Sequence, residues 1–143
     1  MSQRDLSPKG IKDEIVALQT NTLSYMSVSA GDEADDVIIV TVNMKDYTGD
    51  VKEGVQQVLV EVLDETLDGV APEAYALAVG ASGASTAAST TVARTLFATD
   101  ADGILKFTVT DAVGGSDADV YVIISSTTKG VAPVILSLTF DDA

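Results

Sequence analysis

The chain has 143 residues, without cysteine or histidine, and sets 8 Lys and Arg against 22 Asp and Glu for a net charge of −14. It therefore has no thiolate nucleophile, no imidazole base and neither of the commonest zinc ligands, which excludes cysteine proteases, His-dependent serine hydrolases and ordinary zinc sites. The charge opposes phosphate backbones and anionic lipid, so nucleic acid and membrane are not expected as partners, while one domain of this length can bury roughly 70% of its unfolded surface without cross-links.

Residues 1–21 read as a helical arm and residues 22–143 as one β-domain. Ser7 before Pro8 has the form of an N-cap followed by an N1 proline, and Leu6 can staple onto Ile11. Ile11, Ile15 and Leu18 fall at i, i+4 and i+7 and share one helical face. Gly10 weakens this helix by ~1 kcal/mol, and a helix of about a dozen residues does not persist alone. The arm must therefore dock, either on its own domain or on a neighbouring subunit, and Leu6, Ile11, Ile15 and Leu18 are the expected partner-binding residues. The opening MSQRDLSPKG has no apolar signal core, and no run approaches the ~20 apolar residues of a membrane span. Synthesis in the cytoplasm without a signal peptide is the expectation.

Thr22 to Val28 reads as an extended, Ser-rich edge strand, followed by the acidic turn Gly31 to Asp36. Val37 to Met44 is a core strand, with Ile38, Val40, Val42 and Met44 on one face and Thr41 and Asn43 on the other. Lys45 to Gly54 reads as a connection, Val55 to Leu63 as a second long strand and Asp64 to Pro72 as an acidic loop. Tyr75 to Val79 is a short strand, and the small, polar Gly80 to Thr91 reads as a surface loop.

The most informative stretch is Phe97 to Thr110, where Thr99-Asp100-Ala101-Asp102-Gly103 separates an apolar strand end from Ile104 to Val109. Asp tolerates a tight turn and Gly accepts positive φ, so the stretch reads as a hairpin with Leu105, Phe107 and Val109 on one face. Val120 to Ser126 and Val134 to Phe140 complete the pattern. About eight strands with little helix argue an all-β antiparallel sandwich preceded by a short N-terminal helix or arm.

The acids offer no site of recognisable chemistry. Asp100-Ala101-Asp102-Gly103 contains the D-x-D-G piece of calcium loops, but Ile104 and Lys106 occupy the next ligand positions and Asp111 the twelfth, a poor oxygen set. These residues read as a turn cap, and no cofactor is expected. Asp32, Glu33, Asp35 and Asp36, with Asp64, Glu65 and Asp68, read as solvated loops that could meet at one end of the sandwich. No pair of carboxylates is marked out for glycoside hydrolysis, so no enzymatic activity is expected.

The succession of Val37 to Met44, Lys45 to Gly54, Val55 to Leu63, Thr99 to Gly103, and Gly114-Gly115 before Val120-Tyr121-Val122 resembles the bacterial immunoglobulin-like domains of the invasin and intimin type. The resemblance spans about residues 35 to 126. It implies an immunoglobulin-like sandwich, found in surface adhesins and in structural proteins of tailed phages. A short acidic domain with a docking arm fits the second group better. The expectation is a capsid decoration or cement protein on the virion surface, binding the major capsid protein or another virion protein through its arm and sheet edges, and forming a homo-oligomer. The alternative is a carbohydrate-binding or adhesion module on a tail, baseplate or cell surface.

Overall fold

The computed structural model describes residues 23–68, 75–85, 94–112 and 118–141. The arm, with Leu6, Ile11, Ile15 and Leu18, lies outside the described residues. Among those described there are nine strands: β1 (Leu23–Ala30), β2 (Val37–Asp46), β3 (Gln57–Leu63), β4 (Tyr75–Val79), β5 (Ala84–Ser85), β6 (Arg94–Ala98), β7 (Ile104–Asp111), β8 (Ala118–Ser126) and β9 (Val134–Phe140). They form a four-stranded sheet in the order β1-β2-β7-β4 and a five-stranded sheet in the order β5-β6-β3-β8-β9, with every pairing antiparallel. The fold is an immunoglobulin-like β-sandwich.

Period-two alternation sends one face of each long strand inward. Val40, Val42 and Met44 of β2, Val58 and Val60 of β3, Leu105, Phe107 and Val109 of β7, and Val122 and Ile124 of β8 are completely buried. Two aromatic pairs join the layers. Phe97 of the five-stranded sheet stacks on Phe107 of the four-stranded sheet, with centroids 5.4 Å apart and planes 17° from parallel. Tyr75 and Phe140 form the second pair at 5.6 Å and 44°.

The stretch around Asp100 makes the expected turn but not the expected hairpin. Asp100 N–H donates to the Ile104 carbonyl at 2.8 Å, and Gly103 N–H to the Asp100 carbonyl at 3.1 Å. Its flanks then part, since β6 pairs with β3 and β5 while β7 pairs with β2 and β4. Thr99 directs the parting. Its N–H donates to the Gln56 carbonyl at 2.8 Å, and its hydroxyl accepts from Gln56 N–H at 2.9 Å. The chain is thereby held to the β2–β3 connection as it leaves one sheet for the other. Three further hydrogen bonds fix this corner: Met44 N–H to the Gly103 carbonyl at 2.9 Å, Lys52 N–H to the Met44 carbonyl at 2.9 Å, and Gly54 N–H to the Ala101 carbonyl at 2.8 Å.

Smaller differences have equally local causes. The strand expected from Val55 begins at Gln57, because Gly54 at φ +108° and the Thr99 contacts hold the preceding residues out of the ladder. Within the expected surface loop, Ala84 and Ser85 pair with Ala98 and Phe97 as a two-residue strand, too short to leave a periodic signal.

Among the described residues, one buried side-chain group lacks a partner. Thr95 on β6 is 5% exposed, and its hydroxyl makes no hydrogen bond. Replacing Thr95 with the isosteric valine is expected to raise stability by about 1–2 kcal/mol, because the desolvation cost of an unsatisfied hydroxyl disappears. A urea titration checks this, with Thr95→Ser as the variant that keeps the hydroxyl.

Candidate functional site

The acidic segments are turns before they are anything else. Asp46-Tyr47-Thr48-Gly49-Asp50 after β2 and Asp64-Glu65-Thr66-Leu67-Asp68 after β3 share a D-x-T-x-D pattern and one geometry. Asp46 Oδ1 accepts from Thr48 N–H at 2.8 Å, Thr48 Oγ1 at 2.6 Å and Asp50 N–H at 3.1 Å. Asp64 Oδ1 accepts from Thr66 N–H at 2.9 Å, Thr66 Oγ1 at 2.7 Å and Asp68 N–H at 2.9 Å. Asp100 repeats the scheme, accepting from Asp102 N–H at 2.9 Å and Ile104 N–H at 3.0 Å. These carboxylates are occupied as caps. The expected connection and acidic loop were thus two copies of the turn recognised at Asp100, with the D-x-T-x-D spacing as their signature.

The fourth position of each turn is left-handed: Gly49 at φ +87°, Gly103 at +75° and Leu67 at +65°. Leucine carries a steric penalty there that glycine escapes. Leu67→Asn is expected to gain about 0.5–1 kcal/mol, because asparagine tolerates this conformation and Leu67 is 53% exposed, with little burial to lose. The thermal midpoint checks it.

The Thr66 hydroxyl holds the Asp64 carboxyl below its ordinary range, helped by backbone N–H donors, and the Thr48 hydroxyl does the same for Asp46. A depressed folded-state value means that the unfolded chain binds the proton more readily. Each turn therefore contributes stability that is present above the ordinary carboxylate value near 4 and is lost as pH falls through the folded value. Thr66→Val should lower stability at neutral pH, and its gap from the wild type should close below about pH 4. Denaturant titrations from pH 2 to 7 measure that convergence.

The strand directions bring the Asp32 to Asp36 turn and the Asp64 to Asp68 turn to the same end of the sandwich. There a groove of about 510 Å³ runs between the β1–β2 connection and β9, lined by Asp32, Glu33, Asp35, Ser137, Thr139 and Asp141 with apolar neighbours. Glu33 Oε2 accepts from Asp141 N–H at 2.7 Å. Among the described residues no group of three acid side chains is placed to hold a metal ion. Asp111, the twelfth position of the D-x-D-G reading, lies at the far end of β7 from Asp100, and its N–H donates to the Asp36 carbonyl at 2.9 Å. The twelfth-position residue of the D-x-D-G reading is therefore not brought back to the Asp100 turn.

The outer face of the four-stranded sheet has a different character. In register across it lie Tyr25 and Lys45; Ser27, Asn43 and Ile104; Ser29, Thr41 and Lys106; Ile39, Thr108 and Ala78; and Val37, Thr110 and Ala76. Among these described residues there is no carboxylate, and Lys45 and Lys106 are the charged members, on a chain of net charge −14. Ile39 is 51% exposed and Tyr25 44%. This face was not anticipated, because strand alternation identifies outward positions but not which strands adjoin.

No protein-family model matches this sequence, and no curated protein matches it. Solved structures share the fold. A glycosyl hydrolase family 2 member from Bacteroides cellulosilyticus DSM 14838 aligns with 84% of this chain at 13% identity and a TM-score of 0.52. The Parabacteroides merdae β-glucuronidase with glycerol in its active site aligns with 82% at 17% identity and a TM-score of 0.50. This chain spans only 15% and 12% of those two chains. A conjugative transposon lipoprotein from Bacteroides eggerthii DSM 20697 aligns over 82% of this chain and 95% of its own, at 12% identity and a TM-score of 0.44. At these identities the likeness to the first two establishes the fold alone.

Proposed function

We propose that this chain is a non-enzymatic structural protein of a tailed-phage virion, decorating the capsid through the outer face and edges of its four-stranded sheet. The observation that carries the reading is the carboxylate-free face bearing Lys45 and Lys106 on an otherwise acidic domain. A large, flat sheet surface of hydroxyl and β-branched side chains suits contact with another protein more than the holding of a small substrate. Its two lysines complement a partner surface that presents carboxylates, and the surrounding negative charge disfavours other approach angles. Among the described residues β1 and β4 are the edges of this sheet, positions suited to strand addition by a partner. Many copies on one particle would multiply weak contacts. The phage assignment rests on the resemblance to immunoglobulin-like domains of virion proteins.

Electron cryomicroscopy of the source particle, with and without this chain, tests the reading. Decoration requires sandwich-shaped density at symmetry-related positions on the shell, contacted by the β1-β2-β7-β4 face. Density at the tail or baseplate alone would reject the capsid assignment.

A second reading follows from the groove beside β9. Its carboxylates and the Ser137 and Thr139 hydroxyls could accept and donate hydrogen bonds to sugar hydroxyls, as in a carbohydrate-binding module. Retention on a polysaccharide column, abolished by Glu33→Ala with Asp35→Ala, would favour this reading over decoration.

A further inference from the structure

The two lateral sides of the sandwich are guarded differently. Among the described residues, one side ends in the short strands β4 and β5, of five and two residues. The other ends in β1 and β9, of eight and seven residues, which lie beside each other. Edge strands are ordinarily kept from pairing by shortness, charge or proline. β1, reading LSYMSVSA, has none of these, and its register shift touches only the first residues, between Leu23 and Tyr25. β9 is at least preceded by Pro133. The core is also less closed on this side. Val28 of β1, Val131 just before β9, and Val134 and Leu136 of β9 pack against the core yet stay half-buried, whereas Val40 and Val42 of β2 and Phe107 and Val109 of β7 are completely buried.

We propose that this edge pairs with a second copy of the chain, β1 against β1, antiparallel about a two-fold axis at Ser27. Polarity argues for this occupant. Tyr25, Ser27 and Ser29 lie on the outer face and Met26 and Val28 on the inner one, so the strand has the same pattern on both sides of Ser27. The axis sets Ser27 opposite Ser27, Tyr25 opposite Ser29, and Val28 opposite Met26 of the second copy. Val28 thereby gains an apolar neighbour where the core is open. Charge argues for it as well. Two chains of net charge −14 repel one another in most orientations, but β1 carries no charge to oppose its twin. The acidic turns that follow β1 are kept apart: Gly31 stands four positions from the axis, so the two turns begin about 27 Å from each other, well beyond a Debye length of about 8 Å. A single pair of strands is smaller than a standard interface, and the pairing is expected to be weak and concentration-dependent. It would join the two outer faces that carry Lys45 and Lys106 into one surface. The inference stands apart from the proposed function, since it concerns the purified protein and needs no particle.

Sedimentation equilibrium of the full-length chain at concentrations from about 10 μM to about 1 mM tests the pairing, and a reversible monomer–dimer equilibrium is expected. Ser27→Glu sets two carboxylates opposite each other at the axis and should weaken dimerisation at least about tenfold. Ala84→Glu adds the same charge on β5, at the opposite side of the sandwich, and should leave dimerisation unchanged. Both positions are exposed, so urea midpoints at low concentration should match the wild type. The absence of cysteine lets Ser29→Cys carry a single spin label that reports the register without touching the axis. In the dimer two such labels stand four positions apart, about 14 Å at the backbone, and their dipolar coupling should report that short distance. A chain that stays monomeric throughout the range would overturn the proposal. So would a dimer that Ser27→Glu leaves intact or that shows no short distance at residue 29, because its interface would then lie on another surface.

Discussion

Gly103→Ala is expected to cost about 3–4 kcal/mol, a large share of the 5–15 kcal/mol that separates folded from unfolded domains. Gly103 sits at φ +75°, and an added Cβ would overlap the carbonyl oxygen of Lys52 and press on its carbonyl carbon. The left-handed conformation alone costs an L-residue about 1–2 kcal/mol. The remainder comes from displacing Lys52, whose N–H donates to the Met44 carbonyl, and from straining the bond between Met44 N–H and the Gly103 carbonyl. Gly130 provides the control, at φ +89° with no atom within 4 Å of an added Cβ. Gly130→Ala should show only that backbone cost of about 1–2 kcal/mol. Urea midpoints of the two variants measured side by side give the difference, and equal losses would show that the corner at Lys52 is not held as described.

The second large effect is expected at the stacked pair that joins the sheets. Phe97 and Phe107 are both fully buried, and truncation of either to alanine should cost about 3–5 kcal/mol through lost transfer energy and the cavity left behind. Because they contact one another across the layers, their effects should not add. A double-mutant cycle should return a coupling of about 1 kcal/mol beyond independent burial. Leucine at either position should recover part of the loss. A coupling near zero would mean that each ring is anchored by its own sheet and that the pair does not tie the layers together.

The legible and illegible parts of this fold divide along one line. Ile38, Val40, Val42 and Met44 were placed on one inward face by alternation alone, and all are buried. The turn at Asp100 was legible because its residues bond within five positions. Whether its flanking strands shared a sheet was not, since that depends on Thr99 meeting Gln56, 43 residues earlier in the chain. A turn signature encodes reversal of the chain, whereas sheet membership is decided by partners distant in sequence. The same limit hid the lysine face: Lys45 and Lys106 became parts of one surface only when β2 and β7 paired. The turns at Asp46 and Asp64 were legible in principle, as two D-x-T-x-D copies. The docking residues expected in the arm rest on helical periodicity, and their surroundings lie outside the described residues.

Tyr75 illustrates how packing sets chemistry at the acidic end. Burial, with the Asp111 carboxylate adding to it, pushes its phenol above the usual value of 10.0. The neutral ring is therefore the folded form. Its contribution is complete below pH 10 and is lost as pH rises through the folded value. This tyrosine belongs to the core with Phe140 rather than to a binding platform.

The claim that this domain works by presenting surfaces is tested most directly by co-sedimentation with capsid shells of the source particle that lack it. The experiment compares the wild type with Lys45→Glu plus Lys106→Glu at low and high salt. Saturable binding of the wild type is expected, at a stoichiometry matching the capsomers or symmetry axes. The double reversal should weaken that binding at least about tenfold at low salt, with the difference shrinking as salt screens the charges. Failure of the wild type to sediment with the shells would contradict the decoration reading, and undiminished binding of the double variant would contradict the assignment of this face.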